Sequence, residues 1–319
     1  WDFSTNNNAC GPCPIIQSQL THLDASSYPD YHYTDLQLQL AQFHQVSPER
    51  IVLATSASEM IMRISSYYAC FHSSSIAKKV WYPAQSYGDY PYAANVWQLE
   101  HCPDPTQANL VWLCEPSSPL GQSLVNAHSL IQHSQQPNTM VVLDRAYETL
   151  RLSGVSSFSK QQFNQLWQLW SPNKVLGLTG IRAAYLIAPE ITPQVMATIQ
   201  QLNQMAASWP IGSHGVAMLN AWTQSKVQDW IQQSLIQLQN LKAQQINWIS
   251  ELDGVEILPS QTNFFCLKAH LDAQVLKQHQ VQLRDATSFG LPGYWRISVQ
   301  TTEAQQALIK ALMQALIPK

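Results

Sequence analysis

The sequence is poor in charged residues. Asp, Glu, Lys and Arg together make up 12% of its 319 residues, roughly half the usual ~25%, and the formal net charge at pH 7 is -3. Such a chain has neither the basic excess that binds nucleic acid nor an acidic tail. We therefore expect small molecules, and not nucleic acids, as its partners.

Long apolar runs are also missing. No segment approaches the ~18 consecutive apolar residues of a membrane span, and no charged region precedes an apolar segment as in a signal peptide. The six cysteines of a chain this long do not indicate a disulfide framework, which fits a reducing compartment. We predict a cytoplasmic protein that does not enter a membrane.

Several catalytic signatures are absent. The ten histidines show no H-x-x-x-H spacing and no Cys/His cluster, so no metal site is predicted. The G-x-S-x-G and G-x-x-x-x-G-K-[ST] motifs are missing as well. These absences argue against a metalloenzyme, a hydrolase with a serine nucleophile and a P-loop protein.

One cysteine pair copies a redox motif. Cys10 and Cys13 form the C-x-x-C arrangement of thioredoxin-like proteins, in which the first thiolate sits at a helix N-terminus directly after a strand and has a lowered pKa. Here the pair follows a polar loop, residues 6–9, with no strand in front. A redox role remains an alternative, and it predicts loss of function on Cys10→Ser.

Near-continuous apolar runs indicate where the chain forms strands. With 45% hydrophobic residues, the chain can bury a large core and is expected to form two lobes. The runs 110–114 and 140–144 are typical of parallel strands buried on both faces. A third strand, Ile51–Ala54, leads through small residues into a helix.

Residues 171–185 combine groups that suit one kind of cofactor. Lys174 has a hydroxyl three residues before it, on Ser171, and a guanidinium eight residues after it, on Arg182. A cofactor that carries an aldehyde and a phosphate needs such a set, because the amine forms a Schiff base while the other two groups hold the phosphate. A surface lysine followed by an arginine at the start of a buried strand is the simpler reading.

This stretch resembles the fold-type I pyridoxal-phosphate (PLP) enzymes of the class I and II aminotransferase superfamily. The resemblance is strongest to the threonine-phosphate decarboxylases of cobalamin synthesis and to histidinol-phosphate aminotransferases. It covers nearly the whole chain, through the segments 2–14, 28–46, 115–121 and 284–293. It implies that Lys174 carries the cofactor and that Ser171 and Arg182 bind its phosphate.

The resemblance also assigns residues around the cofactor ring. Asp144, at the end of a buried strand, would keep the pyridine nitrogen protonated so that the ring accepts electrons. Tyr147 would reach the 3-oxygen, and Tyr87 would stack on the ring. Ser118 falls where relatives have an asparagine that supports the 3-oxygen, and serine has fewer donors.

Three further positions would hold anionic groups. Ala57 and Ser58, at a helix N-terminus, would bind the phosphate, with a plain helix cap at Ser56 or Ser58 as the alternative. The family usually has glycine at the position of Ser56. Arg296 would clamp the substrate carboxylate with two parallel hydrogen bonds. For Arg284, in contrast, a salt bridge with a carboxylate such as Asp285 is the preferred interpretation.

In relatives, a tyrosine near the first long helix reaches the phosphate bound by the partner subunit. Tyr28 or Tyr33 would be that residue, and either one could instead pack at a helix end. The resemblance thus implies a homodimer with shared active sites.

The fold implied by the resemblance is aspartate-aminotransferase-like α/β, with a mostly parallel central sheet flanked by helices and a smaller α+β domain. Residues 25–205 would form the large PLP-binding domain, and residues 1–24 and 206–319 the small domain. The implied activity is decarboxylation of L-threonine O-3-phosphate, with an aminotransferase of the histidinol-phosphate type as the alternative. Because of Ser118, a PLP-binding protein without turnover is a third possibility.

Overall fold

The computed structural model describes residues 1–71, 78–125 and 127–317. Two β-sheets with helices packed against them make up this part of the chain. No helix within it has the length and apolar character needed to cross a membrane. The helices of four or more residues are α1 (Pro14–Thr21), α2 (Thr34–His44), α3 (Ala57–Phe71), α4 (Asp89–Val96), α5 (Ala127–Ser134), α6 (Lys160–Phe163), α7 (Pro193–Gln204), α8 (Ser213–Trp222), α9 (Ser225–Ser250), α10 (Ala273–Gln278) and α11 (Thr302–Ala315).

The larger sheet has seven strands and is mostly parallel, as predicted. The strands are β1 (Ile51–Ala54), β2 (Lys79–Trp81), β3 (Glu100–His101), β4 (Leu110–Cys114), β5 (Met140–Asp144), β6 (Trp167–Trp170) and β7 (Ala184–Ile187). Their spatial order is β1-β7-β6-β5-β4-β2-β3. Strands β6, β5, β4, β2 and β3 run parallel to one another, whereas β7 is antiparallel to both β6 and β1.

The register of the parallel strands brings their carboxyl ends together. Cys114, the last residue of β4, pairs with Asp144, the last residue of β5, and Asp144 pairs in turn with Leu169 of β6. All residues of β4, β5 and β6 are buried. A carboxylate at this edge of an open α/β sheet lies where such sheets bind ligands.

The smaller sheet has four antiparallel strands, β8 (Glu256–Ile257), β9 (Phe264–Lys268), β10 (Arg284–Asp285) and β11 (Tyr294–Ser298), in the order β10-β11-β9-β8. The N-terminal segment runs along it: Phe3 N–H donates to Gln282 O, and Ser298 N–H donates to Phe3 O, each at 2.9 Å. Further along, residues 8–13 contact the loop that follows β6. The domain boundaries themselves remain a prediction.

A histidine lies among aromatic side chains behind the larger sheet. His44 Nε2 is 2.7 Å from Tyr185 Oη, which also accepts a hydrogen bond from Trp222 Nε1 at 3.0 Å. The His44 ring packs on Trp170, with 4.8 Å between ring centroids. Burial, together with the positive charge of Arg145, lowers the pKa of His44 to about 3. The imidazole is therefore neutral in the folded protein at every ordinary pH.

This histidine is expected to make stability depend on pH. Below pH ~6.5 His44 binds a proton in the unfolded chain but stays neutral in the folded chain. The free energy of unfolding therefore falls as the pH drops from ~6.5 toward 3. The decrease is up to about 1.4 kcal/mol per pH unit. Urea unfolding of wild type and His44→Gln at pH 4.5 to 7.5 would measure it, and the variant should show the flatter slope. His214→Gln, at an exposed position, should keep the wild-type slope; equal slopes for wild type and His44→Gln would contradict the prediction.

Candidate active site

Nine of the eleven residues assigned from the sequence line a single cavity. We call it the lysine cavity, and it lies where β4, β5 and β6 end, between the N-terminus of α3 and the loop that carries Lys174. The other two assigned residues, Tyr28 and Arg296, do not line it. Its lining residues are Ser56, Ala57, Ser58, Tyr87, Cys114, Ser118, Asp144, Ala146, Tyr147, Ser171, Asn173, Lys174, Arg182 and Ala183.

Asp144 is buried at the inner end of the lysine cavity. Its Oδ1 accepts a hydrogen bond from Ala146 N–H at 2.9 Å, and its Oδ2 accepts one from Tyr90 Oη at 2.8 Å. Burial raises the pKa of this carboxyl, while the two hydrogen bonds and the positive charge of Lys174 counteract the increase. The carboxylate is thus held in a fixed orientation by two donors, and each oxygen keeps a lone pair for a further donor.

Lys174 lies on the loop between β6 and β7, and the N-terminal segment fixes that loop. Asn8 N–H donates to Lys174 O at 3.1 Å and Cys13 N–H donates to Leu176 O at 2.8 Å. The Asn8 side chain donates to Val175 O at 2.8 Å. The Lys174 Nζ lies 5.2 Å from the centroid of the Tyr147 ring. Residues more than 160 positions away in sequence therefore determine where the amine sits.

Gly177 lets the two segments approach this closely. Its φ is +72°, and a Cβ at this position would lie 2.7 Å from Pro12 Cα and 2.9 Å from Gly11 Cα. Those neighbours are backbone atoms, which cannot rotate away. Any side chain at position 177 would push the N-terminal segment off the lysine loop.

We expect Gly177→Ala to lower the free energy of unfolding by about 1–3 kcal/mol, because it combines a left-handed backbone with a steric overlap. Urea denaturation of the cofactor-free protein would measure the change. Gly180→Ala is the matched control, because it lies in the same loop and a Cβ there meets nothing within 4 Å. A destabilisation of equal size in both variants would show that the overlap at position 177 is not the cause.

The N-terminus of α3 forms the opposite wall of the cavity. Ser56 Oγ accepts a hydrogen bond from Glu59 N–H at 3.1 Å, so Ser56 is the helix cap, one of the alternatives raised for this turn. Ser58 instead places its Oγ 3.2 Å from Tyr87 Oη. Its hydroxyl faces the cavity together with the free N–H groups of the first turn, where the helix dipole favours an anion.

The cavity contains polar groups that no described residue satisfies. Ser118 Oγ, Ser171 Oγ and Asn173 Oδ1 are buried without a hydrogen-bond partner in the described ranges. Over the same ranges, Lys174 and Arg182 form no ion pair. Unpaired buried polar groups are costly. The cavity thus presents an amine, a guanidinium, hydroxyls and a carboxylate. These groups match a ligand that carries an aldehyde, a phosphate and a ring nitrogen.

Arg296 lies beside the lysine cavity and is separated from it by one aromatic side chain. It is buried on β11, and its Nη2 donates to Ser4 O at 2.9 Å, while its Nε has no partner among the described residues. Its guanidinium carbon is 5.7 Å from the centroid of Phe264, whose ring packs edge-to-face on Tyr147 at 4.8 Å. The preferred interpretation of Arg284 was wrong: its Nη2 donates to Ser288 Oγ at 3.0 Å, and no ion pair with Asp285 occurs among the described residues.

The two tyrosines considered for a partner subunit differ in their surroundings. Tyr33 is buried, and its hydroxyl donates to Ile211 O at 2.7 Å, so this residue packs at the start of α2. Tyr28 is 77% exposed and stacks on Trp209 with 4.4 Å between ring centroids. Of the two side chains, only that of Tyr28 is available to another molecule.

The C-x-x-C pair does not have the environment of a redox site. Cys10 and Cys13 are free thiols. Burial raises the pKa of Cys10, whereas the redox mechanism needs a lowered one. The segment instead holds the lysine loop through its backbone.

Fold and cavity together define a class of protein: an α/β enzyme whose amine, carboxylate and guanidinium converge at the carboxyl ends of parallel strands. The chain belongs to the aminotransferase class I and II family, whose family model matches residues 97–312. Enzymes of this family depend on PLP.

Three similar proteins illustrate the range of the family. The chain is 27% identical to the histidinol-phosphate aminotransferase of Bacillus pumilus, over 94% of this chain and 85% of that protein. It is 25% identical to the adenosylcobalamin biosynthesis bifunctional protein CobDQ of Leptospira interrogans, over 97% of this chain but 38% of that protein. The crystal structure of L-threonine-O-3-phosphate decarboxylase from Porphyromonas gingivalis superposes with a TM-score of 0.81, at 21% identity, over 98% of each chain.

Several groups at the site escaped the sequence analysis. Tyr90 holds Asp144, and Asn6 Nδ2 donates to Tyr147 Oη at 3.2 Å. Tyr90 lies only three residues after Tyr87, but Tyr87 precedes α4, which begins at Asp89, so helix periodicity did not link the two. Asn6 lies in the segment 2–14 that carries part of the resemblance, but no pattern singled it out, and its partner is 141 residues away.

Proposed function

We propose that this chain binds PLP in the lysine cavity, with Lys174 as the residue that carries the cofactor. Support comes from one observation above the others: Lys174, Asp144 and Arg182 line the same cavity. When bound, PLP supplies an electron sink that stabilises negative charge on the carbon next to the substrate amine.

The residues around the cavity divide the work of holding such a cofactor. Arg182, Ser171 and the first turn of α3, with Ala57 and Ser58, would bind the phosphate. Asp144 would pair with the ring nitrogen, and Tyr87 would cover one face of the ring. The unpartnered hydroxyl of Ser118 would donate to the 3-oxygen, together with Tyr147.

Lys174 is also the group placed to move a proton. Its amine would accept or donate a proton at the substrate carbon. The neighbouring ring of Tyr147 and the loop contacts of Asn8 and Cys13 restrict where that amine can go. Arg296 would hold the carboxylate of the substrate beside Phe264.

For the reaction, we propose decarboxylation of L-threonine O-3-phosphate. The similarity to the decarboxylase of P. gingivalis and to the bifunctional protein of L. interrogans supports this choice. The alternative is transamination of histidinol phosphate or a related amino acid, which the similarity to the B. pumilus aminotransferase supports. The two reactions differ in which bond of the substrate carbon breaks: the bond to the carboxylate in the decarboxylation, or the bond to hydrogen in the transamination.

A product assay separates these activities. The PLP-loaded protein is incubated with L-threonine O-3-phosphate, and CO₂ and keto acid are measured in parallel; a second incubation contains histidinol phosphate and a keto-acid acceptor. CO₂ without keto acid supports the decarboxylase, whereas amino-group transfer without CO₂ supports the aminotransferase. A cofactor spectrum that no amino acid changes would indicate binding without turnover.

We further propose a homodimer in which Tyr28 reaches the partner's cofactor phosphate. Its exposure and its stack on Trp209 keep the ring at the surface and oriented. Gel filtration of wild type and Tyr28→Phe, with PLP affinity measured for both, would show whether its hydroxyl contributes to the site.

A further inference from the structure

The residue that holds Asp144 is itself held rigidly. Tyr90 is fully buried on α4, and its ring stacks on Trp112 of β4 with centroids 5.2 Å apart and planes 9° from parallel. Its other neighbour is Tyr87, against which it packs edge-on at 5.8 Å. Tyr90 therefore contacts both the residue proposed to pair with the ring nitrogen and the residue proposed to cover the ring.

The hydrogen bond from Tyr90 acts on the charged form of Asp144. A hydroxyl that donates to a carboxylate oxygen favours the ionised state, and in a buried setting such a charge-assisted bond is stronger than one between neutral groups. Burial and the negative charge of the nearby Asp89 raise the pKa of Asp144, whereas the positive charge of Lys174 lowers it. Of the groups that favour ionisation of Asp144, the Tyr90 hydroxyl has the largest effect on its pKa.

We propose that Tyr90 is a positioning residue for cofactor chemistry: its hydroxyl fixes Asp144 Oδ2 and keeps the carboxylate ionised toward the ring nitrogen. The proposal rests on PLP binding in the lysine cavity. Tyr90 does not touch the cofactor in this role but acts through Asp144. Without its hydroxyl, the carboxylate would be freer to rotate and to take up a proton, and its pairing with the ring nitrogen would weaken.

Cofactor binding tests this without measuring turnover. The probes are PLP and 1-deazapyridoxal 5′-phosphate, in which a C–H replaces the ring nitrogen, and the readout is the ratio of their two dissociation constants. Wild type should prefer PLP, because only PLP can pair with Asp144. Tyr90→Phe should reduce that preference about tenfold, as expected for the loss of one hydrogen bond to a charged group.

Two controls isolate the hydroxyl. Tyr92→Phe removes a hydroxyl from an exposed tyrosine of the same helix and should leave the ratio unchanged. In an Asp144→Asn background, Tyr90→Phe should no longer alter the ratio, because the carboxylate through which it acts is gone. Should Tyr90→Phe fail to fold, 3-fluorotyrosine at position 90, a stronger donor of similar volume, should increase the preference for PLP.

The outcomes separate the role of Tyr90 from PLP binding itself. An unchanged ratio in Tyr90→Phe, or an equal change with and without Asp144, overturns the role of Tyr90 while PLP binding stands. Equal weakening for both cofactors would mean that Tyr90 only shapes the cavity, which also overturns it. Failure of wild type to bind PLP overturns both the role and the proposed function.

Discussion

Replacing Lys174 by alanine is expected to abolish turnover and the visible absorption of lysine-bound PLP. The variant loses the amine that carries the cofactor and the group that moves the substrate proton. The second contribution alone is worth about 10²–10⁴-fold in rate. Arg182, Ser171 and Asp144 remain, so PLP should still bind, although without a covalent bond to the protein.

The sharpest measurement is borohydride reduction followed by peptide mass analysis. In wild type, reduction should fix the mass of the cofactor on the peptide that contains Lys174. In Lys174→Ala, no lysine peptide should carry it. Lys226→Ala, at an exposed position of α9, should behave as wild type. A Lys174→Ala protein that keeps its absorption band and turnover would remove the basis of the proposed function.

Replacing Asp144 by asparagine is expected to separate activity from stability. An amide lacks the negative charge that stabilises a protonated ring nitrogen, and the loss of one preorganised electrostatic group typically costs about 10²–10³-fold in kcat. The free energy of unfolding, in contrast, should not decrease. Burial raises the pKa of Asp144, so its charged form lowers the free energy of unfolding at neutral pH. This cost disappears only as the pH falls below the pKa of the folded state.

The cofactor-free Asp144→Asn protein should therefore be at least as stable as wild type at pH 7, while its kcat falls sharply. Urea unfolding and steady-state kinetics on one preparation would test both. Asp253→Asn, in an exposed turn, is the control for the substitution itself. A strongly destabilised Asp144→Asn protein would identify a structural aspartate, and unchanged turnover would exclude its proposed pairing.

The sequence predicted best those elements whose burial alone determines their pattern. Strands β1, β4 and β5 were predicted with their observed bounds, because a strand buried on both faces consists of consecutive apolar residues. Strand β6 was missed, although it leads directly to Lys174. Its second residue, Gln168, interrupts the run, and only the fold shows that it is buried between Arg145 and Phe163 O.

The candidate site was predictable where local motifs specify it and not where distant segments meet. Lys174, Ser171 and Arg182 lie within twelve residues of each other, so their shared cavity could be inferred. The contact of Tyr90 with Asp144 spans 54 residues. The expected partner of Arg284 was wrong because strand pairing places it opposite Arg296, and Ser288 takes its hydrogen bond instead. Such partners are set by topology, which a local pattern does not contain.

The hydrogen bonds between residues 8–13 and the lysine loop have a consequence for how the chain folds. Phe3 of the same segment is hydrogen-bonded to Ser298 of β11, so one segment connects the lysine loop to the smaller sheet. Closing loops of this length is entropically costly, and chains dominated by such distant contacts fold slowly. We therefore expect the lysine loop to reach its final position only after the central sheet has formed, so that the cofactor-free chain passes through a state with a complete sheet and an unfinished site.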